Sequence, residues 1–152
     1  MRGRYFAMPN ATAFPNHVED GYGGMLVVRS EIRSLCSHHH QPVSGVAYIG
    51  IIAADTLIGL SKYTRIAQWC ARRGTLQEEL NNEIARQIMK ATGSKNVGVY
   101  IQATHGCCEN RGIHAHSSLT QTTVLKGAFE QDQTTKKEFM DNIKLQQEFA
   151  PR

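Results

Sequence analysis

Residues 97–103 alternate strictly between apolar side chains and side chains of other kinds, and this pattern constrains the fold most. Because successive side chains of a strand point to opposite faces, the alternation predicts a half-buried β-strand. A similar alternation from residue 25 predicts an earlier strand that runs towards Cys36. Residues 45–52, which are rich in β-branched and aromatic side chains, and the Thr-rich residues 119–129 predict two further strands.

The middle of the chain predicts two helices. Residues 61–73 are good helix formers, with Ser61 as a candidate N-cap. After Gly74, apolar residues recur every four positions until Gly93, a residue type that commonly follows the last turn of a helix. A closing helix is predicted from about residue 134 to residue 149.

The order of these elements is strand pair, helix pair, strand pair and closing helix. A chain of 152 residues is long enough to bury one core, so we predict a single α+β domain over residues 25–152. Residues 1–24 contain several prolines and glycines and no sustained period. They are predicted to form an irregular arm that another subunit would order.

Composition narrows the classes of partner. The formal net charge is only +4 and the basic residues are spread along the chain, which does not favour nucleic acid. No apolar run approaches the length that spans a bilayer, so no membrane partner is expected. No apolar segment follows Arg2 and Arg4, so a secretory signal is not expected either. We therefore expect a cytoplasmic protein whose four cysteines are thiols.

Two distant segments carry residue types that suit an open zinc site. Cys36 and His39 lie three positions apart, and Cys107 supplies a third ligand far along the chain. Zinc that is held by three protein groups keeps its fourth position for water or substrate, which is the catalytic arrangement.

Cations on the first predicted helix indicate an anionic ligand. Ser61, Lys62 and Arg65 lie in its first turns, where backbone N–H groups and the helix dipole favour phosphate. Alone, such cations would more often be a solvated helix face. Arg111, in a loop soon after Cys107, and the zinc ligands together make a polyanionic substrate the better hypothesis.

Five segments in register resemble the GTP cyclohydrolase I family. They are Cys-Ser-His-His at 36–39, Ile-Gly-Leu-Ser-Lys-Tyr-Thr-Arg at 58–65, Leu-Gln-Glu at 76–78, His-Gly-Cys at 105–107 and Arg-Gly-Ile at 111–113. The resemblance implies the tunnelling fold, in which antiparallel strands are packed by two helices and several subunits close their sheets into a barrel. It further implies a homo-oligomer with active sites between subunits, for which a decamer is one candidate, and a form with a shortened N-terminus.

Carried over residue by residue, the resemblance implies a site for Zn²⁺ and GTP. It implies Cys36, His39 and Cys107 as zinc ligands, His38, His105 and Ser61 as catalytic, Lys62, Arg65 and Arg111 as cations for the triphosphate, and Gln77 and Glu78 as the pair that recognises guanine. The implied reaction is hydrolysis at C8 of the base, loss of formate and rearrangement to 7,8-dihydroneopterin triphosphate. Such a product would enter a pterin, folate or deazapurine pathway.

Alternatives remain open at this point. Ser37 stands where the family usually has Glu, so the substrate could be another purine nucleotide, or the reaction could stop after ring opening. A non-catalytic purine-binding oligomer with structural zinc would need a fourth protein ligand, for which Cys108 and His40 are nearest. A nitrile reductase of the same fold is disfavoured because its chemistry needs no zinc and would leave the triphosphate cations unused.

Overall fold

The computed structural model describes residues 7–10, 12–16, 21–36, 41–106 and 119–149. In chain order its elements are β1 (Ala13–Pro15), β2 (Met25–Leu35), β3 (Pro42–Ile52), β4 (Thr56–Ile58), α1 (Leu60–Ala71), α2 (Gln77–Thr92), β5 (Val97–His105), β6 (Thr120–Lys126), α3 (Ala128–Gln131) and α4 (Gln133–Phe149). Within these described ranges, no helix is both long and apolar enough to cross a membrane.

The four predicted strands all form, and they pair in one antiparallel sheet in the order β2-β3-β5-β6. Leu35 pairs with Pro42, and the next residue, Val43, pairs with His105. At the opposite end of the same strands, Ile52 pairs with Met25 and Ile51 pairs with Val97. We call these two ends of the sheet the His105 end and the Ile52 end.

Helices α1 and α2 cover one face of the sheet and run in opposite directions. The Ser34 hydroxyl donates to the Ala71 carbonyl oxygen at 2.5 Å, which places the last turn of α1 at the His105 end. Just after α2, the Ser94 hydroxyl donates to the Ile52 carbonyl oxygen at 2.6 Å, which places the last turn of α2 at the Ile52 end. The first turns of α1 therefore lie towards the Ile52 end and those of α2 at the His105 end.

The second face of the sheet is covered by α3 and α4. Phe129 and Phe139 pack edge to face with ring centroids 5.2 Å apart, and both side chains are fully buried. They lie over Gly50 and Gly98, which pair across β3 and β5. A methyl group on Gly50 would lie 2.6 Å from Phe139 Cε1, so the two glycines provide the space that the rings occupy.

Three local features differ from the sequence predictions. The arm predicted to be irregular contains β1, which pairs with β4. Ser61 is not the N-cap of α1, because the helix begins one residue earlier, with Gly59 as the cap and the Lys62 amide donating to the Gly59 carbonyl oxygen at 2.9 Å. Strand β6 ends at Lys126 because Gly127 adopts φ 63°, which turns the chain into α3.

Candidate functional site

The His105 end of the sheet brings together segments that carry predicted site residues. Cys36 directly follows β2, is buried, and donates its backbone N–H to the Gln41 carbonyl oxygen at 2.9 Å. Gly106 directly follows His105 and lies so close to Pro42 that an added methyl group would be 3.1 Å from Pro42 Cδ. Pro42, the first residue of β3, pairs with the last residue of β2, and the next residue of β3 pairs with His105. Cys36 and the end of β5 therefore both lie at the His105 end of the sheet.

His105 contacts Gln77, the first residue of α2. The distance between His105 Nε2 and Gln77 Oε1 is 2.6 Å. The other amide atom, Gln77 Nε2, donates to the Thr122 hydroxyl at 3.0 Å and to the Thr120 carbonyl oxygen at 3.1 Å. Gln77 is only 5% exposed, so its side chain links α2 to β5 and β6 from inside the protein.

Glu78 lies beside Gln77 but faces outward. It is exposed in the first turn of α2, where a carboxylate is favoured by the helix dipole. Of the two residues that resemble a guanine-recognition pair, Glu78 therefore has the accessible side chain.

The predicted phosphate-binding residues of α1 lie elsewhere in the same chain. Ser61 and Arg65 are exposed and Lys62 is half-buried, all within the first turns of the helix. Helix α1 has 12 residues and thus a length of about 18 Å. Since only its last turn reaches the His105 end, the structure does not bring Lys62 and Arg65 together with His105 within one chain.

Four predicted site residues lie outside the described residues: His38, His39, Cys107 and Arg111. Within the described part of the chain, no three His, Cys, Asp or Glu side chains cluster in a way that could hold a metal ion. Of the three predicted zinc ligands, the described residues include Cys36 alone, as a buried free thiol.

Cys70, in the last turn of α1, packs in the core. Its side chain is 1% exposed, between α1 and the sheet. Burial, together with the negative charge of Glu83, raises the pKa of the Cys70 thiol to about 12. Such a thiol stays protonated at neutral pH, which makes it a packing group rather than a nucleophile or ligand.

Sequence reasoning missed two residues, Thr122 and Asn81, that hold Gln77 in place through a chain of hydrogen bonds. The Thr122 hydroxyl accepts one hydrogen bond from Gln77 and a second from Asn81 Nδ2 at 2.8 Å. Asn81 is fully buried one turn after Gln77. Two amides at i and i+4 beside an apolar helical stripe were the available signal, because buried amides need hydrogen-bond partners.

Comparison with known proteins supports the resemblance. The family model for GTP cyclohydrolase I matches residues 2–144. GTP cyclohydrolase 1 of Flavobacterium johnsoniae is 39% identical over 142 residues, which are 93% of this chain and 62% of that protein. The corresponding protein of Teredinibacter turnerae is 39% identical over 132 residues, 86% of this chain and 70% of its own. The chain thus spans about two thirds of the length of these curated relatives, with 62% and 70% covered.

The crystal structure of the archaeosine synthase QueF-Like in the apo form has a similar fold. Its TM-score is 0.53 at 11% identity, and the match covers 68% of this chain and 93% of the other. This likeness concerns the fold alone, and it confirms the predicted α+β tunnelling fold of antiparallel strands packed by two helices. With the family match over residues 2–144 and 39% identity to its relatives, the chain belongs to the GTP cyclohydrolase I family.

Proposed function

We propose that this protein hydrolyses the guanine base of GTP at C8, releases formate and forms 7,8-dihydroneopterin triphosphate. The observation that carries the proposal is the placement of Cys36 and His105 at the same end of the sheet, on either side of β3, in a member of this family. The product would enter a pterin, folate or deazapurine pathway. The reaction would take place in the cytoplasm, where Cys36 stays reduced.

A zinc ion would be held by Cys36, His39 and Cys107. Two thiolates and one imidazole are a donor set that suits Zn²⁺ and leaves one coordination position free. When bound, the ion would supply a water molecule whose pKa is close to neutral. The hydrogen bond from the Cys36 amide to Gln41 closes the connection that carries the first two ligands, which supports a ligand position at the end of β2.

Proton transfer to the ring nitrogens of the nucleotide would fall to His38 and His105. Imidazole suits this role because its ordinary pKa lies near neutrality. His105 is half-buried at the end of β5, where the bond to Gln77 holds its ring. The Ser61 hydroxyl would be the third catalytic group.

Recognition of GTP would divide between the base and the phosphates. The exposed Glu78 carboxylate can accept hydrogen bonds from N1–H and the exocyclic amine of guanine, groups that adenine does not present in this pattern. Its neighbour Gln77 would support this end of the pocket. Lys62, Arg65 and Arg111 would bind the triphosphate, and planar guanidinium groups suit phosphate oxygens.

The site would be shared between subunits of a homo-oligomer, with a decamer as one candidate. Lys62 and Arg65 lie towards the Ile52 end, so a neighbouring chain must bring its α1 to the His105 end. Within the described sheet, β2 and β6 are edge strands. Their free backbone groups can pair with strands of other subunits.

The proposal is tested by incubating the zinc-loaded protein with GTP and following formate together with pterin fluorescence after oxidation. We expect both products, and we expect their loss after chelation or in His105→Ala. The control Gln87→Ala changes a half-buried residue of α2 that lies towards the Ile52 end. Formate without pterin would refute the proposed product and indicate ring opening alone. Bound GTP with neither product would refute the activity and favour a binding module.

A further inference from the structure

The hydrogen bonds of Gln77 determine which of its amide atoms faces His105. A backbone carbonyl oxygen can only accept hydrogen bonds, so the Gln77 atom next to the Thr120 carbonyl oxygen must be the amide nitrogen. The same nitrogen lies 3.5 Å from the Ile101 carbonyl oxygen, a second acceptor. The opposite orientation would place three oxygens against one another. Gln77 Oε1 is therefore the atom that faces His105.

This orientation determines which nitrogen of the neutral His105 ring carries the hydrogen. An amide oxygen can only accept, so the short contact of 2.6 Å requires a hydrogen on His105 Nε2. In the neutral imidazole one nitrogen is a donor and the other an acceptor. The free lone pair therefore lies on Nδ1.

Gln77 is itself held in place from the β6 side. The Thr122 hydroxyl oxygen accepts from both Gln77 Nε2 and Asn81 Nδ2, which uses both of its lone pairs. Gln77 is 5% exposed and Asn81 is fully buried, so water does not compete freely for these bonds. The amide of Gln77 is thus committed to protein partners on both of its polar atoms.

We propose that Gln77, held by Thr122, is a positioning residue that holds the His105 ring in one orientation and one tautomer, with its Nε2–H on Gln77 Oε1. This inference rests on the proposed function, in which His105 is a catalytic residue. It also assigns the Gln77 side chain to His105 rather than to the guanine base.

The direct test is the tautomer of His105, measured by ¹⁵N solid-state NMR of zinc-loaded protein labelled at histidine. The His105 signals are identified by their absence from His105→Asn. We expect a protonated Nε2 and an unprotonated Nδ1 in the neutral ring, and a mixture of tautomers in Gln77→Met, which keeps the length of the side chain but not its hydrogen bonds. A wild-type ring with its hydrogen on Nδ1, or an unchanged tautomer in Gln77→Met, would overturn the proposal.

Kinetics provide a second readout that a purely structural role would not reproduce. We expect Gln77→Met to lower kcat by about 10- to 100-fold with KM for GTP nearly unchanged. A rise in KM with kcat intact would return Gln77 to base recognition and refute the inference. Should Gln77→Met not fold, Thr122→Val removes only the hydroxyl that holds Gln77, and it is expected to mix the tautomers in part and to lower kcat less.

The failure of this inference is distinguishable from failure of the proposed function. If the wild-type protein released no formate from GTP, the proposed function would fail while the tautomer measurement would still stand. If the wild-type protein were active and the tautomer wrong, only the assignment to Gln77 would fail. The control Gln87→Met makes the same chemical change in α2 and is expected to leave both the tautomer and kcat unchanged.

Discussion

A site shared between subunits predicts that two inactive variants restore each other's activity. One chain would carry Lys62→Ala with Arg65→Ala, and the other would carry His105→Ala. Lys62 and Arg65 lie in the first turns of α1, whereas His105 lies at the end of the sheet that the last turn of α1 reaches. The helix has 12 residues and a length of about 18 Å. Each variant alone should be inactive, because every one of its sites contains the lesion.

The expected recovery follows from random assembly. In a mixed oligomer formed from equal amounts, a site is intact when one chain supplies an unaltered His105 end and its neighbour supplies an unaltered α1. Every site in a symmetric oligomer is formed by the same kind of interface, so the same probabilities apply to each site. Each condition is met half of the time, so about a quarter of all sites should be intact. Pterin formation per site should then reach about a quarter of the wild-type rate.

The assay uses both chains co-expressed with different affinity tags and purified through both tags in succession. A matched control combines His105→Ala with Cys36→Ser, two lesions at the same end of the sheet, and should recover nothing. If the Lys62/Arg65 and His105 variants also recover nothing although mixed oligomers form, the cations and His105 act within one chain. That result would refute the placement of α1 derived from the Ser34–Ala71 hydrogen bond.

Three further predictions concern the stability of the fold. Gly50→Ala places a methyl group 2.6 Å from Phe139 Cε1, so we expect the free energy of unfolding in urea to fall by about 1–3 kcal/mol. The control Gly23→Ala, with nothing within 4 Å of the added methyl group, should change this free energy little. If Gly50→Ala left the free energy of unfolding unchanged, α4 would not pack as described. Gly93→Ala places a side chain on a residue with φ 72° after α2, so we expect the free energy of unfolding to fall by about 1–2 kcal/mol. In the control Gly59→Ala, the added methyl group meets only Lys62 Cγ at 3.8 Å, so the loss should be much smaller. Equal losses in the two variants would contradict this explanation. Burial raises the pKa of the Cys70 thiol to about 12, so as the pH rises the unfolded chain loses this proton before the folded protein does. The contribution of the protonated thiol to stability should therefore be complete below about pH 8.5 and be lost as the pH rises towards about 12. The free energy of unfolding should fall over this range with a slope of up to about 1.4 kcal/mol per pH unit. Cys70→Ala should flatten that part of the pH profile, and a profile that is identical in both proteins would refute the assignment.

Much of the fold could be predicted because its signals are local. The alternation at 97–103 and the four-residue spacing that ends at Gly93 reflect the geometry of a strand and a helix, which each segment carries within itself. The pairing of β1 with β4 has no such signal, since three residues are too few to show a period and the partner strand lies far along the chain. The space above Gly50 and Gly98 is likewise visible only once Phe129 and Phe139 lie over them.

The candidate site was likewise predictable from the sequence only in part. The sequence alone determined the residue types available: residue types and their spacing predicted Cys36, Lys62 and Arg65 as site residues, and the resemblance to the family implied His105 and Glu78. Tertiary structure decided which of these residues meet, because the antiparallel course of α1 and α2 over the sheet places His105 and Gln77 at one end and Lys62 towards the other. It also decided the orientation of the Gln77 amide, because this orientation depends on carbonyl and hydroxyl groups that a distant strand brings to it.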